Sequence, residues 1–354
     1  MRSILGEADI LETLTDLTRL AEGTVDAALR IAESEVRPLY GTPFEADGGG
    51  EASLAVIAMG KLGGREMNFG SDLDLVFVYS GAGETDGRWK DRPAPRGSVP
   101  NHEFFLRLVD RMRKGIASPV QGERAYEIDL RLRPEGEKGA LAVPLEIFAR
   151  YFAERAESWE RQALCRARPI AGEEAVGRAF MSLAAAFVYE REVPAGFAAE
   201  VARMRDRLER ELARESGGRI DIKLGHGGIA DIEFLVQFLQ ITHGGALPAI
   251  RLPGAYEALA ALREAGCLGE EEAAALEAAY RYLRLVENRL RITNAQPLHT
   301  FPETPEGMRM LARRIGYLDD EEGSSRAKLL ADYERETTGV RRIYSRVVEG
   351  EAAG

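Results

Sequence analysis

Strand-forming sequence in this chain is confined to one stretch, from about residue 53 to 171, and helical periodicity lies on both sides of it. That confinement predicts an α+β fold: one small mixed-sheet domain followed by an all-α helical bundle. Within the stretch, residues 54–59 form a short apolar run closed by Gly60, and Leu73–Tyr79 is a second, rich in β-branched and aromatic residues. Tyr126, Ile128, Leu130 and Leu132 alternate with Glu127, Asp129, Arg131 and Arg133, which reads as a half-buried strand with a polar working face. Residues 80–100 carry Gly, Pro, Asp and Arg without a period and are predicted to be an exposed, mobile loop, with a helix after them over 102–116.

The flanks are helical by spacing. Ile10, Leu11, Leu14, Leu17 and Leu20 recur at three- and four-residue steps, and Ala27, Ala28, Ile31 and Ala32 continue after a Gly-Thr break. The runs 41–44 and 47–50, rich in Gly, read as a linker. Phe197, Val201, Met204, Leu208 and Leu212 make one apolar stripe, and residues 255–262, 273–286 and 308–315 give further amphipathic stretches. The expected division is a helical segment and linker over 1–45, a catalytic domain over 46–172 and a helical bundle over 173–354.

The 354 residues carry a net charge of −11, which argues against broad nucleic-acid binding, because phosphate neutralisation supplies most of that affinity. No window reaches the roughly 18 apolar residues of a membrane span, so a soluble, cytoplasmic protein is expected. Cys165 and Cys267 stand apart, without the spacing of a disulfide framework or a zinc site. No Ser-His-Asp mechanism is supported by the positions of the four histidines. Only six residues are Lys against 41 Arg, so no single Arg is functional without a motif around it.

The chemistry concentrates where Gly70 and Ser71 stand immediately before Asp72 and Asp74 at the start of an apolar strand. Alternation puts both carboxylates on one face while Leu73, Leu75 and Phe77 enter the core. Side-by-side carboxylates suit a hard cation, and Mg²⁺ is usually held by one or two of them with water and phosphate completing its shell. The Gly-Ser turn lets phosphate approach free backbone N–H groups. Asp129 is the candidate third ligand of a two-ion site, with Arg131 and Arg133 on its face as phosphate contacts. Lys61 and Arg65 are weaker nucleotide-binding candidates beside the Gly63-Gly64 pair; the spacing is neither a Walker A loop nor G-x-G-x-x-G.

The Gly70-Ser71-Asp72-Leu73-Asp74 element with a later acidic strand resembles the nucleotidyltransferase superfamily that includes DNA polymerase β. More narrowly, the segments 59–66, 129–134, 159–168 and 221–234 resemble, in order, the bacterial glutamine synthetase adenylyltransferase family. The resemblance implies Mg²⁺-dependent transfer of AMP from ATP to a tyrosine hydroxyl of glutamine synthetase, under the control of a PII protein and glutamine. It implies Asp72, Asp74 and Asp129 as catalytic metal ligands, and Gly70, Ser71, Lys61, Arg65, Arg131 and Arg133 as nucleotide contacts. The wording around Ser71, Gln162 and Asp231 resembles the adenylylating C-terminal half of the family more than the deadenylylating half. The alternatives are that removing half, which releases ADP by phosphorolysis, and a silent nucleotide or effector sensor.

Six further positions follow from the same segments. Trp159 is expected in a helical core, and Arg166 and Arg168 are open between phosphate contact and surface charge. The Gly-rich turn after Lys223 offers N–H groups to an anion, and Lys223, Asp231 and Glu233 are candidate substrate-facing residues.

Overall fold

The structure, a computed structural model, describes residues 8–118, 125–213, 219–292, 298–321 and 323–353. The chain divides into two compact units. One comprises Asp16–Met67 and Ser71–Arg191; the other comprises residues up to Thr15, Asn68–Gly70 and Glu192 onward. The chain passes between the units within the first helix, on either side of Asn68–Gly70 and after Arg191.

The long helix α1 (Ile10–Tyr40) opens the fold. It continues through Gly23 and Thr24, where a break was expected, and the Thr24 hydroxyl donates to the Leu20 carbonyl at 2.9 Å within the unbroken helix. Next come β1 (Pro43–Glu45), β2 (Leu54–Ala58), the single turn α2 (Gly60–Gly63) and β3 (Leu73–Tyr79). Strands β4 (Gly83–Thr85), β5 (Arg88–Trp89) and β6 (Arg92–Pro93) precede α3 (Asn101–Ala117). The mixed unit is completed by β7 (Ile128–Asp129), β8 (Ala142–Pro144), α4 (Leu145–Glu154), α5 (Ser158–Leu164), β9 (Arg168–Gly172) and α6 (Glu174–Ala185).

Its main sheet runs β7-β3-β2-β9, with β8 also on β3. β2 is antiparallel to both neighbours and buried along its whole length, so both faces are covered. Leu54, Val56, Leu75 and Phe77 share one cluster with Leu29 and Val36 of α1 and with Phe105 and Met112 of α3. Helix α6 packs on β2 and β3, and its Phe180 meets Phe148 of α4 edge to face at 5.0 Å.

Two sequence expectations change here. Residues 41–50 and 80–100 are not a linker and a loose loop: β1 pairs with β4, and β5 with β6. Asn101 Nδ2 ties them by donating to the carbonyls of Phe44 at 2.9 Å and Gly81 at 3.0 Å. The alternating segment 126–133 forms only the two-residue strand β7. The cause lies on β3, whose edge accepts β7 at Leu73 and Asp74 but is taken by β8 from Phe77 onward, leaving no ladder beyond Asp129.

The second unit is helical: α7 (Phe197–Leu208), α8 (Ile229–His243), α9 (Ala255–Glu264), α10 (Glu270–Arg291), α11 (Pro305–Ile315), α12 (Ser325–Tyr344) and the short α13 (Gly350–Ala353). Phe197 and Val201 are buried on α7 as the stripe predicts, but Leu212 is exposed and Arg205 is inside. Among the described residues no helix is long and apolar enough to cross a membrane.

Candidate active site

The acidic strand is built as expected at its centre. β3 and β7 run parallel with Asp74 registered opposite Asp129, which puts these two carboxylates on one face of the sheet. Leu73 between Asp72 and Asp74 is fully buried. Two glycines with positive φ frame the strand's start, Gly60 at +52° and Gly70 at +62°. A Cβ on Gly60 would lie 2.2 Å from Asp74 Oδ2, so any side chain there would have to displace the carboxylate as well as adopt left-handed backbone. The Met59 amide donates to the Asp74 carbonyl at 2.9 Å, closing the turn against the strand. Ser71 is buried, while Asp72 is exposed just ahead of β3.

The three carboxylates do not converge as a triad. Among the described residues no group of three His, Cys, Asp or Glu side chains stands close enough to hold an ion. Asp129 instead turns to Arg131, accepting its amide at 2.8 Å and its Nε at 2.9 and 3.0 Å. The guanidinium beside it holds the Asp129 carboxyl below the usual carboxylate range, so it is an anion ready for a cation. The donor set of Asp72, Asp74 and Asp129, all hard oxygens, fits Mg²⁺ in chemistry, and Arg131 is the group that a bound cation would displace.

Arg133 is a correction. It is buried and donates to the carbonyls of Gly139 at 3.1 Å and Glu137 at 3.0 Å, and also to Leu130, so it shapes the turn and does not face a phosphate. Lys61 lies half-buried on α2, and Arg65 is exposed with φ +60°.

Arg166 and Arg168 resolve into neither of their two expected roles. Arg166 is buried against Glu66 and donates from Nε to the Gly60 carbonyl at 3.0 Å. Arg168 pairs with Glu22 and donates to the carbonyls of Gly63 and Leu62, both at 3.1 Å. Together they hold the α2 turn beneath Asp74. The sequence singles out both arginines but gives no sign of these partners, which for Arg166 lie some hundred residues away. Trp159 is 39% exposed rather than core, with Nε1 donating to Glu157 at 2.8 Å. Its neighbour Glu160 caps α5 and accepts from the Tyr151 hydroxyl at 2.9 Å.

The Gly-rich turn after Lys223 is not an open anion cradle. The amides of Lys223 and Leu224 both donate to Asp221 Oδ1 at 2.9 Å, and the Gly227 amide donates to Asp231 Oδ2 at 2.9 Å. Asp231 is 0% exposed, ion-paired with Arg205 and with Arg341 at 3.0 Å, so it cannot face a substrate. Glu233 is turned to Arg284 at 2.8 Å, and Lys223 remains half-buried in the turn.

A small mixed sheet with a Gly-Ser turn before an acidic strand, an aspartate registered on the parallel neighbour, and a helical unit besides is the architecture of a nucleotidyltransferase-type protein. The comparisons agree. Residues 1–183 match the family model of glutamate-ammonia ligase adenylyltransferase, more than half of the chain, and the chain belongs to that family. Residues 196–348 match the model of GlnD PII-uridylyltransferase. Among similar proteins, a bifunctional glutamine synthetase adenylyltransferase/adenylyl-removing enzyme of Thioalkalivibrio sulfidiphilus is 38% identical over 92% of this chain and 32% of its own length. That of Bordetella pertussis is 37% identical over 90% of the chain and 34% of its own length, and that of Ralstonia nicotianae 34% over 90% and 35%. The chain thus spans about a third of the length of these relatives.

Proposed function

We propose that this chain carries an ATP-dependent adenylyl-transfer centre acting on a tyrosine hydroxyl of glutamine synthetase. The observation that carries the reading is the parallel register of Asp74 with Asp129 beside the Gly70-Ser71 turn. In the reaction the tyrosine oxygen bonds to the α-phosphorus of ATP, the bond to pyrophosphate breaks, and the hydroxyl proton is released. Gly70 and Ser71 bind the triphosphate through the turn, and Asp74 and Asp129 would hold Mg²⁺, with Asp72 as the further ligand that a second ion would need. Those ions, when bound, offset charge on the phosphates and make the hydroxyl more acidic. Lys61, Arg65 and Arg131 are the cations that would meet phosphate oxygens.

The residue wording around Ser71, Gln162 and Asp231 supports the attaching direction; the bifunctional names of the relatives include the removing one. Glutamine and a PII protein are the effectors this family membership suggests, and their sites are unassigned. The test is incubation with α-labelled ATP, Mg²⁺, glutamine and glutamine synthetase. Label on the synthetase is expected, and Asp74→Asn or Asp129→Asn should lower its rate by about a hundredfold or more, with the circular dichroism unchanged. Release of ADP from adenylylated synthetase without forward labelling would select phosphorolysis. Tight ATP binding with neither reaction would leave a sensor.

A further inference from the structure

Three residues of the segment leading into the acidic strand, Asn68–Gly70, belong to the helical unit. Their anchor is a buried polar cluster on α10. Asn68 donates from Nδ2 to Glu287 Oε2 at 3.1 Å, and its Oδ1 accepts from Asn288 Nδ2 and from the Phe69 amide, both at 2.9 Å. Arg291 donates to the Phe69 carbonyl at 3.2 Å. Glu287 is 0% exposed and lies between two guanidiniums, Arg291 at 3.0 Å and Arg284 at 3.1 Å. Arg284 reaches on to Glu233 at 2.8 Å and to the Tyr280 hydroxyl at 2.7 Å, while His299 sits 3.4 Å from Glu287. Two guanidiniums thus oppose two carboxylates.

A buried network whose polar groups find partners, Arg284 Nε excepted, favours one arrangement and is better suited to fixing geometry than to adding stability. What this one fixes is the backbone two residues before Ser71. An amide at position 68 is required, because the site presents a carboxylate to one end of the side chain and two N–H groups to the other. An aspartate there would oppose Glu287, and a shorter side chain would leave Glu287 and Asn288 each short of a partner.

We propose that Asn68 is a positioning residue for nucleotide binding: pinned by Glu287 and Asn288, it sets the Gly70-Ser71 turn that receives the triphosphate. The proposal rests on the reading of that turn as the triphosphate site. It gives the cluster at Glu287 and Glu233 a role in substrate binding without substrate contact.

The test measures MgATP affinity by calorimetry and AMP incorporation into glutamine synthetase, both with the whole chain. Asn68→Asp is expected to weaken MgATP binding and lower kcat/KM by about tenfold to a hundredfold. Adding Glu287→Gln to that substitution exchanges donor for acceptor, keeps the total charge, and is expected to restore both quantities toward those of the unsubstituted chain. Glu287→Gln alone should not. A melting temperature that falls while MgATP affinity per folded molecule stays constant would mean a purely structural role and overturn the proposal. So would a double variant no better than Asn68→Asp. Should Asn68→Asp fail to fold, Asn68→Ser, neutral but too short to reach Glu287, carries the same measurements. Failure of the adenylyl-transfer reading is seen separately, as an unsubstituted chain that binds MgATP but moves no AMP in either direction; the affinity ratio between variants still reports on Asn68. A chain that binds no MgATP overturns both.

Discussion

At Asp74 a single glycine decides what the carboxylate can do. Gly60 has φ +52°, and the missing Cβ leaves room for Asp74 Oδ2, which would otherwise meet it at 2.2 Å. Gly60→Ala must therefore move either the α2 turn or the carboxylate, on top of about 1–2 kcal/mol for placing a Cβ in left-handed backbone. The expected outcome is a loss of AMP transfer of about a hundredfold, the usual consequence of an ångström-scale misplacement, accompanied by a fall in melting temperature of a few degrees. Full activity in a folded Gly60→Ala protein would show that Asp74 has no fixed position in the reaction. This aspartate and Asp129 were legible in the sequence because strand alternation assigns faces from local order alone. Arg133 shared the same alternation and misled, since the rule says which way a side chain leaves a strand and β7 ends before Arg133. Asp231 and Glu233 misled for another reason: a helix start explains a carboxylate by dipole and capping, and nothing local reveals that Arg205, Arg341 and Arg284 wait around it.

Among the elements, those with continuous apolar signal were read correctly, and those defined by a distant partner were not. β2, β3 and α3 fall where the pattern puts them. β9 was missed because Arg168 to Gly172 has no strand period; it exists because β2 offers an edge, with a register shift between Val56 and Ile57. The turn between α5 and β9 carries a testable consequence. Cys165 ends α5, is buried, and burial pushes its thiol up to about 12 against an ordinary value of 9.0. The native state therefore keeps a proton that the unfolded chain releases, so the contribution is complete below about pH 9 and is lost as pH rises toward 12. Buried Tyr79 and half-buried Tyr126, also raised by desolvation, act in the same direction, so the reading must be a difference. Denaturant unfolding at pH 8 and pH 10 should show a steeper loss in the unsubstituted chain than in Cys165→Ala, by at most about 1.4 kcal/mol per pH unit. Equal slopes would mean the thiol is not shielded. In the native state a thiol reagent should label Cys267, which is half-buried, well before Cys165.

For the whole molecule, the consequence of two compact units is that no single unfolding transition is guaranteed. The sequence supplies a way to see this, because its two tryptophans, Trp89 and Trp159, both lie in the mixed unit, whereas both units contribute helix. Tryptophan fluorescence then follows the mixed unit alone, and far-ultraviolet circular dichroism follows the sum. Arg166 provides the selective perturbation. It is paired with Glu66 inside the mixed unit, with side-chain exposures of 8% and 5%, and replacing it by Met leaves a buried carboxylate without its cation. Breaking such a pair costs about 3–5 kcal/mol, far more than a surface substitution on either unit would. Arg166→Met should therefore move the fluorescence midpoint to distinctly lower denaturant, while a substantial part of the ellipticity change stays where it was. If both signals shift together by the same amount, the chain unfolds as one cooperative body, and the two compact units are a description of its packing and not of its energetics.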